Sequence, residues 1–310
     1  MEVINVRSLS KHFKDIKAVE NLSFSVNEAD VYGFLGQNGA GKSTTIRMLL
    51  TLIEPTHGSI EIFGKDLNSH RASILREVGA VIERPDLYKY LTAFENLSIF
   101  ARLSEAKLNK SQLMEQLDMV GLAARAHSKV HTFSQGMKQR LGLAVALVHN
   151  PKLIMLDEPT NGLDPQGIAD IRKLILFLSR EKKKTILVSS HLLSEIEQIA
   201  TRMLIIDRGK KIVEGDVKEL FDPSRMLIDL KTTDNSEAIS KIAVTRWNEF
   251  VQTANEKSIV FKMKQDIVPQ LSRALIEMNI EILSIQPRHS LEEYFLSLTS
   301  ANSHVDHSSN

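Results

Sequence analysis

Apolar and polar residues alternate through the first thirty positions. Val3, Ile4 and Val6 make one such run and Leu22, Phe24 and Val26 a second, the period of half-buried strands. Val31-Tyr32-Gly33-Phe34-Leu35 is apolar throughout and predicts a strand buried on both faces. Gly36 to Thr44 is polar and glycine-rich, and Thr45-Ile46-Arg47-Met48-Leu49-Leu50 then has helix-forming composition without a breaker. A turn at Glu54-Pro55-Thr56-His57-Gly58 precedes an alternating strand over 59–64, and Val78-Gly79-Ala80-Val81-Ile82 predicts another buried strand, ending at Glu83-Arg84-Pro85.

The period changes at about residue 86. Leu91, Phe94, Leu97 and Phe100, then Leu113, Leu117 and Val120, then Leu141, Val145 and Leu147 recur at helical spacing, which predicts a helical insertion over about 86–150. Strands resume at Leu153-Ile154-Met155-Leu156 and Thr185-Ile186-Leu187-Val188-Ser189-Ser190, with a helix from about Gln166 to Arg180 between them. Residues 203–213 read as a hairpin turning at Arg208-Gly209. Asp222-Pro223-Ser224 reads as a boundary. The first domain is therefore expected over 1–221 and a small α/β domain over 222–299. In the latter the expected order is strand 226–232, helix 236–247, strand 258–264, helix 266–278, strand 281–287 and helix 290–299. Residues 300–310 read as a flexible tail.

Composition narrows the function classes. The 310 residues are 43% hydrophobic and 25% charged, with a formal net charge of +1. That is ordinary globular composition, and no basic excess points to nucleic acid. There is no cysteine, which excludes disulfides and thiolate-held metals. The N-terminus, Met1-Glu2-Val3-Ile4-Asn5-Val6, lacks the apolar core of a signal peptide. No apolar run approaches the ~20 residues of a membrane-spanning helix.

The chemistry concentrates in a few short stretches. Gly36, Gly41, Lys42 and Ser43 match the phosphate-binding loop G-x-x-x-x-G-K-[ST] between a strand and a helix. Its main-chain N–H groups and the helix N-terminus make an anion cradle. Lys42 would reach the β- and γ-phosphates and Ser43 would ligate Mg²⁺. Asp157 and Glu158 follow a buried strand, the end at which α/β sheets place ligands. Ser134, ahead of Gln135, Gly136 and Met137, suits a helix N-cap; alone, that segment is explained by capping. Phe13 is an aromatic in a polar stretch, and packing at a strand end explains it equally well.

The order and spacing of these motifs over residues 1–220 resemble the nucleotide-binding domain of ATP-binding cassette (ABC) transporters. The resemblance implies a P-loop NTPase cassette of the α/β class, with a mixed-sheet core, an antiparallel β subdomain and a helical subdomain, followed by the small C-terminal α/β appendage. It implies that Phe13 stacks on adenine, although the family more often has Tyr there. Gly36, Gln37, Asn38, Gly39, Ala40, Gly41, Lys42, Ser43 and Thr44 would hold the phosphates of ATP. Glu83 stands where the family has a Gln near Mg²⁺ and the attacking water. Ser134-Gln135-Gly136-Met137 takes the place of the signature Ser-Gly-Gly-Gln, departing at its second and fourth residues. Asp157 would hold Mg²⁺, Glu158 would be the general base, Asp164 would lie in the loop that crosses the dimer interface, and His191 would contact the γ-phosphate.

The same resemblance implies a head-to-tail homodimer with two ATP molecules, a separate transmembrane permease, and a peripheral place on the cytoplasmic face of the membrane. Glu83, its surroundings Val81-Ile82-Glu83-Arg84-Pro85, the Ser-Gln-Gly-Met signature and the ending Ser290-Leu291-Glu292-Glu293-Tyr294-Phe295 resemble the branch that exports bacitracin, daunorubicin and lantibiotics. The alternative is a soluble ABC-type ATPase acting on ribosome or nucleic acid. Such relatives carry two cassettes, long coiled coils or zinc modules. A module that binds ATP without turnover fits poorly with the presence of both Glu158 and His191.

Overall fold

The computed structural model describes residues 1–83, 85–220 and 226–289. The boundary expected at 222–224, the helix expected at 290–299, the tail and Arg84 lie outside them. The chain divides into two compact units, the first Met1–Asp216 and the second from Val217 onward.

In the first unit, β1 (Glu2–Phe13) and β2 (Ile16–Asn27) form a long antiparallel hairpin, with Val6 opposite Phe24. Next come β3 (Val31–Leu35), α1 (Lys42–Leu49), β4 (His57–Ile62), β5 (Lys65–Asp66), α2 (Arg71–Leu75) and β6 (Val78–Val81). α3 (Ala93–Leu103), α4 (Lys110–Met119) and α5 (Gln135–Leu147) make up the helical stretch. β7 (Leu153–Leu156), α6 (Pro165–Arg180), β8 (Thr185–Ser190), α7 (Leu193–Ile199), β9 (Arg202–Asp207) and β10 (Lys210–Asp216) complete the unit. Two sheets result. One is antiparallel, in the order β2-β1-β4-β5; the other is mixed, β10-β9-β3-β8-β7-β6. In the mixed sheet β6, β7, β8, β3 and β9 run parallel and β10 returns antiparallel.

Sequence dictates this arrangement locally. β3, β7 and β8 are buried at every position, as the apolar runs Val31–Leu35, Leu153–Leu156 and Ile186–Val188 require of strands covered on both faces. The alternating β1 and β2 put Ile4, Val6, Leu22, Phe24 and Val26 into a core shared with Tyr32, Phe34, Ile46 and Met155. Helix starts carry the side chains that satisfy free N–H groups. Thr92 with Glu95, and Asn109 with Gln112, close capping boxes on α3 and α4. The Thr92 N–H donated to the Glu95 carboxylate holds that carboxyl below its ordinary value. At the end of α5, His149 Nε2 lies 3.1 Å from the Val78 carbonyl. Burial pushes this imidazole down, which keeps it a neutral donor.

The second unit corrects the expected element list. After α8 (Val217–Leu220) come β11 (Met226–Thr232), α9 (Asn235–Ala243), β12 (Val251–Ala254), β13 (Ile259–Lys262), α10 (Val268–Glu277) and β14 (Ile282–His289). The helix expected over 236–247 stops at Ala243. Thr245 caps a separate 3₁₀ turn over Arg246–Phe250, and this turn buries Trp247. β12 pairs antiparallel with β13. The sheet order β12-β13-β11-β14, with helices after the first and third strands, is the split β-α-β topology of ferredoxin-like domains. Ala238 and Ile242 of α9 and Leu271 and Leu275 of α10 pack on Ile228, Leu230, Ile259 and Phe261, so both helices cover one face.

Candidate functional site

The neighbours β3, β8 and β7 are parallel, so their C-terminal ends lie along one edge of the sheet. Gly36 follows β3, Asp157 and Glu158 follow β7, and His191 follows β8. The sheet alone thus brings together three stretches far apart in sequence, at the end where α/β sheets hold ligands.

The loop 36–41 curls into the start of α1. A Cβ at Gly36 would stand 2.5 Å from the Ile206 carbonyl oxygen, so the backbone can pass there only as glycine. Gly41 has φ 108°, and a Cβ there would stand 2.6 Å from the Ala18 carbonyl oxygen, which excludes a side chain on both counts. Gly41 is the N-cap of α1, and no side chain caps that helix. Its first N–H groups therefore remain available to an anion.

Lys42 is only 5% exposed, and its ammonium has three neighbours. Nζ donates to the carbonyls of Gly36 (2.7 Å) and Gln37 (3.0 Å). Its third neighbour is Glu158 Oε1 at 3.1 Å. That oxygen is buried and, among the described residues, makes no directed hydrogen bond; the contact is an ion pair. Glu158 Oε2 accepts from His191 Nδ1 at 2.6 Å. An ionised carboxylate only accepts, so Nδ1 carries the proton. Lys42, Glu158 and His191 form one connected charge network. Lys42→Ala is expected to weaken nucleotide binding roughly tenfold to a hundredfold, through loss of a charge-assisted contact of about 1.5–3 kcal/mol. Equilibrium titration with a fluorescent ATP analogue measures it.

Asp157 is 1% exposed. Its Oδ1 accepts from Ser189 Oγ at 2.6 Å, while Oδ2 has no hydrogen-bond partner among the described residues. A buried carboxylate oxygen without a partner is costly. Together with the hydroxyl of Ser43 in the same cleft, that hard oxygen fits a divalent cation such as Mg²⁺.

Lys42, Ser43, Asp157 and Glu158 line a cleft of about 1030 Å³, large enough for a nucleotide. Gln37, Asn38, Gly39, Gly41, Lys42, Ser43, Thr44, Glu83, Gln135, Asp157 and Glu158 all line it. Gly36 and Ala40 are buried behind it. Glu83 is exposed, has φ 56° and pairs with Arg47 of α1. Phe13 is 45% exposed and is not part of the wall; Lys11 Nζ lies 4.9 Å from its ring centre.

Ser134 and Asp164 are exposed and both act as caps. Ser134 Oγ accepts from Met137 N at the start of α5, and Asp164 Oδ1 accepts from Gly167 N at the start of α6. Gly136 and Met137 are half-buried in the first turn of α5. Gln135 Nε2 donates to the Asn161 carbonyl at 3.2 Å, tying the start of α5 to the loop before α6. Sequence reasoning missed Ser189, Arg47 and Asn161. For Ser189 a signal existed: it is a polar residue directly after the apolar run Ile186-Leu187-Val188 in a fully buried strand, and such a group needs a partner.

The sequence profile described as ABC transporter matches residues 19–161, and a profile for an AAA domain matches residues 129–197. The chain is 40% identical to the bacitracin transport ATP-binding protein BcrA of Bacillus licheniformis, over 96% of its own length and 97% of that protein's. It is 38% identical to the lantibiotic transport ATP-binding protein SrtF of Streptococcus pyogenes, over 74% of this chain and 95% of the other. Among solved structures, the ATP-binding subunit of an ABC transporter aligns with TM-score 0.62 and 30% identity, over 70% of this chain and 91% of that one. A dimeric ATP-binding cassette holding ADP and phosphate after hydrolysis aligns with TM-score 0.62 and 26% identity, over 69% of this chain and 98% of its own.

Proposed function

Because the chain belongs to the ATP-binding subunits of ABC transporters, we propose that its cleft binds Mg²⁺-ATP between two copies of the chain and powers export of an antibiotic, peptide or other amphiphile through a separate permease. The observation that carries this reading is the convergence of Lys42, Asp157 and Glu158 on one cleft, with His191 bonded to Glu158. Two relatives that span nearly the whole chain are bacitracin transport ATP-binding proteins, which favours transport over a soluble ATPase acting on ribosome or nucleic acid.

In the mechanism, the 36–44 loop and the α1 N-terminus bind the phosphates through main-chain N–H groups. Lys42 turns from Glu158 to the β- and γ-phosphates. Mg²⁺, held by Ser43 and Asp157, would neutralise phosphate charge. Glu158, released from Lys42, accepts the proton of the attacking water while His191 fixes its Oε2. Glu83 lies in the same cleft and would add a carboxylate near that water. Phe13, exposed at the end of β1, would stack on adenine. Ser134, Gln135, Gly136 and Met137, with Asp164, would close over the nucleotide of the second copy. Three of these five, Ser134, Gln135 and Asp164, are exposed, as residues of such an interface must be in one chain. Dimers among the related solved cassettes support that reading.

Among the described residues no helix is long and apolar enough to cross a membrane, so attachment to the cytoplasmic face would run through the permease. Expressed alone, the protein is expected in the soluble fraction; beside its permease it should sediment with membranes. Soluble behaviour in the presence of that permease would overturn the transport reading.

A further inference from the structure

We propose that Ser189 is the positioning residue of this site, one hydroxyl that orients both the metal-holding and the proton-accepting carboxylate. The inference rests on the assignment of Asp157 and Glu158 given above. Ser189 lies in β8, is fully buried, and is brought to the end of β7 by strand pairing, with Leu156 opposite Val188. Its Oγ donates to Asp157 Oδ1 at 2.6 Å and accepts from the Glu158 main-chain N–H at 2.9 Å. The hydroxyl has a single hydrogen to donate, so its donor is spent on one residue while its lone pair serves the next.

Both contacts have consequences. A carboxylate turns easily about its last bond. Anchoring Oδ1 selects one orientation and leaves Oδ2, buried and without a partner among the described residues, as the oxygen presented. Glu158 has φ 49°, a left-handed conformation that L residues adopt only at a cost. Its N–H is held by Ser189, and its carbonyl accepts from Asn161 N at 3.1 Å. Those two bonds keep the strained residue aimed at Lys42 and His191. The adjacent Ser190 does a different task, bonding Glu195 Oε2 at 2.8 Å, so the two serines are not interchangeable.

The test compares Ser189→Ala, which removes both bonds without adding bulk, with Ser189→Thr, which restores a hydroxyl, and Ser189→Cys, which keeps the size with a weak donor. Loss of a residue that orients a metal ligand is expected to lower kcat roughly tenfold to a hundredfold, with KM for ATP little changed. Calorimetric titration of ADP at varied Mg²⁺ gives a readout independent of turnover. For Ser189→Ala the Mg²⁺ concentration at half-effect is expected to rise by roughly tenfold. Ser189→Thr should recover both values and Ser189→Cys should fall between. Wild-type kcat in Ser189→Ala overturns the proposal. So does a lowered melting temperature with an unmoved Mg²⁺ midpoint, the mark of packing alone. Glu158→Gln, run in parallel, separates the two levels. If it hydrolyses at the wild-type rate, the underlying base assignment fails; if it is slow and Ser189→Ala is not, only the role of Ser189 fails.

Discussion

Glu158→Gln is expected to slow ATP hydrolysis by about 10²- to 10⁴-fold, the contribution of a positioned general base, while nucleotide affinity rises. The amide has the shape of the carboxylate but takes no proton from water at the hydrolytic step. Its oxygen can still accept from His191 Nδ1, now 2.6 Å from Oε2, so His191 keeps a partner. Lys42 is affected differently. In the wild type its ammonium is shared among Gly36 O, Gln37 O and Glu158 Oε1, and phosphate must displace the carboxylate. With Gln at 158 that competitor is neutral, and phosphate meets the full charge of Lys42. ADP and ATP should both bind more tightly, and the ATP-bound dimer should accumulate because it cannot hydrolyse its way open. Single-turnover kinetics and size-exclusion chromatography with ATP measure the two effects. Unchanged turnover would remove Glu158 from the base role. Slowed turnover with weakened ADP binding would show that Glu158 does not compete for Lys42. Running the substitution in a Lys42→Ala background isolates that competition, since the gain in affinity should then vanish.

The residues legible from sequence are those whose chemistry lies within one contiguous stretch. Gly36 to Thr44 carries its own turn geometry and helix start, and Asp157-Glu158 closes a run of four apolar residues, so each announces itself locally. Ser189 becomes visible only when β7 and β8 pair, because its partners lie more than thirty positions away. Arg47 and Glu83 are likewise joined by the fold and not by spacing. In the second unit the miss has a different cause. β12 has only Val251 partly buried and three exposed residues, so its alternation is too weak to read. Without it the split β-α-β order could not be seen. The run 236–247 looks like one helix because Ile239, Ile242 and Trp247 are apolar. Thr245 nevertheless ends it, by taking the Ile242 carbonyl and capping the next turn, a local side-chain bond winning over periodicity.

Two inactive variants should restore activity to each other. In a head-to-tail dimer each nucleotide is held by the 36–44 loop of one chain and by Ser134 to Met137 of its partner. Lys42→Ala disables the first element, and Ser134→Arg places bulk and charge at the exposed cap of α5, where the second must close. Homodimers of either variant have two damaged sites. A heterodimer has one site with both defects and one with neither. At equal mixing about half the dimers are heterodimers with one intact site in two, so about a quarter of wild-type sites should return. Turnover measured across mixing ratios should peak at equal amounts, from near-zero values for either variant alone. Ser134 also caps α5 through Met137 N; the Ser134→Arg protein should therefore lose about 1 kcal/mol of stability, which a melting curve detects separately from turnover. If the signature turn instead served the nucleotide of its own chain, the Lys42→Ala protein would lack its phosphate contact and the Ser134→Arg protein its cap in every dimer. No mixture would then exceed its components. Recovery of turnover on mixing therefore separates a shared site from a self-contained one, and it does so without any knowledge of the permease or its cargo.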